Sequence, residues 1–386
     1  MRTSFPTRLD AATRHLDPPF AVLDRPALLA NADDLARRAH GLPVRIATKS
    51  VRARAVLDEA LARPGFSGLM AYSLPEAIWL ARSGYRDILM GYPSVHRAAL
   101  AALCSDAELA ERVTVMVDDV AHLDLLRDIA PTTEVRVCLD VDASLRVGRL
   151  HLGVRRSPLR TVAQVLRLVA EVDRRPGLRL TGLMFYDAQI AGLPDSSPAV
   201  RLVKARSAAD LMRRRAEVVS AVREVVDIEL VNGGGTGSLH VTGRDPVLTE
   251  LAAGSGLYGP TLFDGYRDFR PRPAAFFVLP VVRRPAPRIA TVFGGGYVAS
   301  GPAGRSRLPS PWSPSGLSLL RAEGAGEVQT PLRGAAAGGL DVGDRVWFRH
   351  AKAGELCERF SVLHVVDEGG SVEPVPTYRG ERPAFG

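Results

Sequence analysis

The sequence predicts an α/β fold: a closed (β/α)8 barrel of the TIM type plus a smaller, β-rich C-terminal domain. Three observations carry this expectation. From Val44 to about Ala253 short apolar runs alternate with amphipathic helical ones. Eight such runs fit into that span, which suits a closed barrel of right-handed parallel crossovers better than an open sheet. Near residue 270 the texture changes to apolar runs separated by Pro and Gly, with few helical patterns.

Taken in order, Leu28–Ala39 reads as a helix ahead of the barrel. The expected barrel strands are Val44–Thr48, Gly68–Tyr72, Asp87–Gly91, Val113–Val117, Val135–Asp140, Leu180–Tyr186, Ile228–Val231 and Leu248–Ala252. Helical patterns lie between them: Arg52–Arg63, Leu74–Ser83, Val120–Ile129, Arg160–Val172 and Ala199–Val226. Phe269-Arg270-Pro271-Arg272-Pro273 breaks the pattern. Beyond it, Phe276–Val282, Ile289–Phe293, Val346–Phe348 and Phe360–Val366 read as strands, and Ser310–Gly316 as a loop. Domains are expected at residues 20–272 for the barrel, and at 1–19 with 273–386 for the β-rich part.

Bulk composition narrows the function. A hydrophobic fraction of 46% with 24% charged residues is that of a soluble globular protein. Net charge is +8, but Arg is scattered along the chain with no dense basic block, so nucleic acid is not the expected partner. Cys104, Cys138 and Cys357 are too few and too widely spaced for a disulfide framework, and point to a reducing compartment. The first residues carry no apolar signal core, and no apolar run reaches bilayer length. The expectation is a cytoplasmic protein without a membrane partner.

Lysine occurs only three times among 50 Lys and Arg, and Lys49 ends the first expected barrel strand. Arg stays protonated at any working pH, whereas a partly buried Lys can lose its proton and act as a nucleophile. Lys49 is therefore the candidate for a Schiff base with pyridoxal phosphate. Barrel function gathers at the C-terminal strand ends, and the loops after strands seven and eight commonly bind phosphate. Asn232-Gly233-Gly234-Gly235-Thr236-Gly237-Ser238 and Gly254-Ser255-Gly256-Leu257-Tyr258-Gly259 stand there. Glycines let backbone amides converge on an anion, and the hydroxyls add donors.

These residues carry a family resemblance, together with Phe20–Asp24, Ile46–Ser50 and Tyr186-Asp187. The chain resembles the fold-type III pyridoxal phosphate enzymes with an alanine racemase-like barrel, in the branch of D-threonine aldolase and D-serine dehydratase. It is similar to bacterial proteins described as amino acid deaminase/aldolase. The resemblance implies a homodimer and a small amino acid substrate. It implies Lys49 as the Schiff-base lysine and Tyr186 against the cofactor ring. Gly234, Gly235, Thr236, Gly237, Gly254, Ser255 and Tyr258 become cofactor-binding. The expected activity is a lyase acting on a β-hydroxy D-amino acid, by retro-aldol cleavage or dehydration. An amino acid racemase using the same Lys49 is the alternative, and a non-catalytic pyridoxal phosphate carrier a further one.

Other features are open. Arg146, Arg149, His151 and Arg155 crowd the end of strand five, where one could meet the cofactor or a substrate carboxylate. Asp187 and Gln189 depart from the family's Glu followed by Gly-His, and Glu327 with Gln329 stand where it has a His. The branch carries a metal pair in its C-terminal domain; here His350 and Cys357 are the candidate ligands, for which zinc is the suited ion. Gly294-Gly295-Gly296 either presents Tyr297 to a site or is a bulge.

Overall fold

A computed structural model describes residues 7–385. The chain forms two compact units. One holds Leu35–Lys49 and Leu61–Gly254; the other holds the described residues through Asp34, Ser50–Ala60 and Ser255–Ala384.

The first unit is a closed barrel of eight parallel strands. In order these are Val44–Ala47, Phe66–Ala71, Ile88–Pro93, Val113–Val117, Val135–Asp140, Leu178–Phe185, Leu230–Gly233 and Glu250–Ala253. All eight expected strands are present. Closure comes where strand eight pairs with strand one, Leu251 opposite Val44 and Ala253 opposite Ile46. Crossover helices include Leu74–Arg82, Val120–Ile129, Val162–Asp173 and Pro198–Arg223. Their starts follow local capping. Ser73, Asp119 and Ser197 accept first-turn amides, and Thr161 with Gln164 makes a reciprocal capping box. That box is why the helix expected from Arg160 begins at Val162. Two short helices, Arg97–Cys104 and Ala107–Arg112, were not expected.

The second unit is built on a nine-stranded sheet. Ala275–Ala286 pairs antiparallel with Ile289–Phe293, with Arg345–Arg349 and with Phe20–Asp24. Phe20–Asp24 lies in turn parallel to Val362–Val366. This corrects the expected domain limits, which gave residues 20–272 to the barrel. Phe20 and Val22 pack with Leu9, Phe276, Val278, Trp347 and Val366, so the early strand buries its face in the sheet core. The stretch from Ser255 also belongs here. The amides of Ala274 and Ala275 both donate to the Tyr258 carbonyl, at 3.1 Å. The helix Arg54–Leu61, expected as a helical run over Arg52–Arg63, belongs to this unit as far as Ala60, and Arg54 ion-pairs with Glu381. Residues 1–6 of the expected 1–19 segment lie outside the described residues.

Ser310–Ser313, expected as a loop, is an irregular strand on Arg345–Arg349. An edge position tolerates Pro311, which lacks a ladder donor. All three cysteines are buried and free. No helix among the described residues is long and apolar enough to cross a membrane.

Candidate active site

Lys49 sits in a 3₁₀ turn, Thr48–Ser50, directly after the first barrel strand. Thr48 is fully buried and donates to the Met70 carbonyl at 3.0 Å, which fixes the turn. Half-buried Lys49 directs its Nζ to the Tyr92 hydroxyl, with which it hydrogen-bonds. Tyr92 stands near the end of strand three. The Arg156 guanidinium lies over two tyrosine rings, 5.4 Å from the Tyr92 centroid and 4.9 Å from that of Tyr186. Such cation–ring contacts add attraction beyond packing. Burial alone would raise the Tyr92 pKa, but Lys49 and Arg156 outweigh it and bring it below the ordinary value. Tyr186 goes the other way, because burial dominates there.

The loop after strand seven is a tight turn that needs its glycines. Gly234 has φ +85°, in the left-handed region that favours glycine. A Cβ on Gly235 would fall 2.7 Å from the Ala191 Cβ, so only glycine fits there. Arg38 donates to the Thr236 carbonyl at 2.8 Å. Ser238 closes the turn through its amide to the Gly235 carbonyl, at 2.9 Å. Beneath it, fully buried Asp187 accepts from the Ser238 hydroxyl at 3.1 Å and the Thr242 hydroxyl at 2.6 Å. Burial raises the Asp187 pKa against these hydroxyls and Arg215. Gly254 follows strand eight, and Ser255–Leu257 form a 3₁₀ turn.

A buried acidic group stands at the ends of strands four and five. Burial, with Asp118 adding to it, pushes the Asp140 carboxyl up to about 7, against the pull of Arg156. Asp118 pairs with His122 at 3.3 Å. Of the flagged basic residues, Arg146 pairs with Asp142 at 2.8 Å. His151 contacts the Val154 carbonyl at 3.1 Å, within its own loop. The cation over the tyrosines is Arg156, which the sequence reading passed over along with Tyr92. Gln189 donates to the Ala143 carbonyl at 2.6 Å and so braces the strand-five loop.

In the sheet unit, His350, Tyr258 and Cys357 cluster. The rings of His350 and Tyr258 meet edge to face at 6.4 Å. The Tyr258 hydroxyl donates to the Val51 carbonyl at 2.8 Å and lies 3.9 Å from the Cys357 Sγ. Tyr258, expected to bind cofactor, is thus fully buried with its hydroxyl engaged inside this unit. Neither His350 ring nitrogen has a hydrogen-bond partner of good geometry. Burial, helped by Arg349, pushes its pKa down to about 3, so the imidazole is neutral. Burial pushes the Cys357 thiol up to about 12, although the Tyr258 hydroxyl and Arg52 favour the thiolate. Protein-bound zinc takes three or four His, Cys, Asp or Glu ligands. No group of three gathers among the described residues. His350 and Cys357 both lie in the sheet unit, and no chemistry is assigned to a metal. Gly294 and Gly295, at φ +85° and +109°, make a turn that packs Tyr297 on Phe277, ring centroids 5.0 Å apart.

A parallel barrel with a lysine at the end of strand one and a glycine loop after strand seven defines the class: a lysine-bearing α/β barrel with a glycine-rich strand-end loop. The chain belongs to the alanine racemase N-terminal domain family, whose model matches residues 23–261. It is 27% identical over 282 residues to a D-threonine aldolase of Arthrobacter sp., covering 70% of each chain. It is 26% identical over 243 residues to a 3-hydroxy-D-aspartate aldolase of Paracoccus denitrificans, covering 61% of this chain and 59% of that one. Among solved structures, D-threonine aldolase from Filomicrobium marinum superposes with a TM-score of 0.79 at 24% identity, over 94% of this chain and 95% of that one. An alanine racemase of Clostridium difficile 630 superposes at 0.62 and 14% identity, over 94% and 98%. At these identities the structural likenesses establish the fold.

Proposed function

We propose that the chain is a pyridoxal phosphate-dependent lyase acting on β-hydroxy D-amino acids, by retro-aldol cleavage or dehydration. The observation that carries the reading is Lys49, at the strand-one end of a barrel of this family, facing Tyr92 and Arg156. Similarity to D-threonine and 3-hydroxy-D-aspartate aldolases supplies the substrate class. The residues present fit the cofactor: a lysine amine, a glycine-rich loop whose Gly235 packs too close to Ala191 for any side chain, and the Tyr186 ring beside it. Lys49 would hold it covalently. Gly234, Gly235, Thr236 and Gly237 would hold its phosphate, with Gly254 and Ser255 contributing from the strand-eight loop.

When bound, pyridoxal phosphate supplies an electron sink for charge developing at a substrate α-carbon. This chain's residues do the rest. Lys49 Nζ, released by substrate, takes and returns a proton. Arg156 holds a fixed positive charge against anionic groups and keeps the two tyrosine rings in place. The loop amides would hold the phosphate as neutral donors, without a proton exchange. A homodimer and a cytoplasmic setting belong to the same proposal, supported by the resemblance alone.

The test is proton NMR in deuterated water of the full chain with pyridoxal phosphate. D-threonine and D-3-hydroxyaspartate are the substrates, with their L isomers as controls. Glycine with an aldehyde indicates cleavage, and a 2-oxo acid indicates dehydration. Deuterium at the α-position without loss of carbon would replace the lyase reading with a racemase.

A further inference from the structure

We propose that Tyr92 is the proton-sharing partner of Lys49, its phenolic oxygen taking a proton from the Lys49 amine and returning it during turnover. The proposal deepens the reading above, since it rests on Lys49 being the lysine that does the chemistry. The Lys49 Nζ and the Tyr92 Oη are direct hydrogen-bond partners, so no water is needed to carry the proton. The transfer breaks an N–H bond, whose electron pair stays on nitrogen, and forms an O–H bond. Nothing is oxidised or reduced.

The surroundings make the Tyr92 hydroxyl a stronger acid than an ordinary tyrosine. Three groups face Tyr92, from three different strand ends. Lys49 comes from strand one, Arg156 from the loop after strand five, and the neutral ring of Tyr186 from strand six. The two largest charge effects on its hydroxyl, from Lys49 and Arg156, are both those of cations. Lys49 Nζ also lies 5.1 Å from the ring centroid, so it stays close to the ring as well as to the oxygen. A tyrosine that merely filled space would need no hydroxyl on the amine and no guanidinium over its ring. Once a lysine amine has collected a proton it is no longer a base. A phenolate beside it can reset it without opening the site to water.

Two measurements on the full chain decide the matter. The first is a near-ultraviolet titration of tyrosinate absorbance in the cofactor-free protein. One tyrosine is expected to ionise ahead of the others. Tyr92→Phe should abolish that transition, and Lys49→Ala should move it up by about one to three pH units. If the early transition survives in Tyr92→Phe, the proposal is wrong. The second compares holoenzyme kinetics. Tyr92→Phe is expected to lower kcat by about 10²-fold, with KM little changed, and to remove the acid limb of the pH profile. An unchanged kcat and profile would overturn the proposal equally. Borohydride trapping of cofactor on Lys49 monitors the underlying reading. Wild type that traps none would sink the Lys49 assignment, while the titration still decides whether the two residues share a proton.

Discussion

Arg45 reaches across the barrel seam and grips Glu250 with two parallel hydrogen bonds, from Nε at 2.8 Å and Nη2 at 2.6 Å. The seam is where strand eight meets strand one, the pairing that closes the cylinder. Arg45 also donates to the Leu69 and Asp87 carbonyls, at 3.3 and 2.7 Å, and pairs with the Asp87 carboxylate at 2.9 Å. Its guanidinium, 2% exposed, thereby ties strands one and eight to the ends of strands two and three. Asn232 adds strand seven through Glu250 Oε1, at 2.7 Å. Opposed carboxylates hold Arg45 firmly protonated despite its burial.

Removing Glu250 would leave the buried Arg45 guanidinium with the more exposed Asp87 carboxylate as its ion-pair partner. Glu250→Ala is expected to lose about 3–5 kcal/mol of stability. Urea unfolding of the two proteins measures this directly. A loss under about 1 kcal/mol, the range of exposed pairs, would show that the seam does not depend on this ion pair.

Asp187 is the brace of the glycine loop, through Ser238 and Thr242. Hydrogen bonds to charged groups contribute about 1.5–3 kcal/mol each. Asp187→Ala should therefore weaken pyridoxal phosphate binding at least about tenfold, a change of about 1.4 kcal/mol. Circular dichroism should remain that of wild type. Equilibrium dialysis giving equal affinity in both proteins would rule out the brace.

Asp140 makes stability depend on pH in an identifiable direction. Its folded pKa is raised from the ordinary 3.8 to about 7. The folded state thus keeps a proton that the unfolded chain has released. The stability linked to that proton is full below about pH 4 and is lost as pH rises through 7. The slope from this group is at most about 1.4 kcal/mol per pH unit. Melting curves should show wild type losing ground to Asp140→Asn between about pH 4 and 7. A constant difference would mean that Asp140 ionises normally.

The donor set around His350 and Cys357 makes a prediction about zinc. Two candidate ligands, one of them a protonated thiol, hold zinc weakly, and Lys352 adds a like charge two residues on. Zinc added to the full chain should be lost on gel filtration, and a chelator should leave the reaction rate unchanged. One tightly held equivalent by elemental analysis, lost in His350→Ala, would reverse this conclusion.

The barrel was legible because its strands are buried apolar runs, several of them set off by a helix with a clear cap, as at Ser73 and Asp119. Phe20–Asp24 is equally apolar, yet nothing in five residues tells which sheet they join. Its partners begin at Ala275 and Val362. Lys49 stood out because lysine is rare here. Arg156 did not, because arginine is everywhere and its role arises only when strands three and six bring two tyrosine rings to it. Tyr92 carried no signal of its own. Its chemistry comes from neighbours that the fold supplies.

The position of Phe20–Asp24 in the sheet also sets a schedule for synthesis. This strand leaves the ribosome early, but both of its partners are encoded after the whole barrel. At ribosomal speeds of about 5–20 residues per second, about 250 intervening residues correspond to a delay on the order of 10–50 s. For that interval the nascent chain carries a five-residue apolar strand with both edges unpaired. The barrel strands meet their neighbours as they emerge, whereas this strand waits for Ala275–Ala286 and Val362–Val366. A nascent chain of this protein thus has a defined period in which a holding chaperone has a segment to cover.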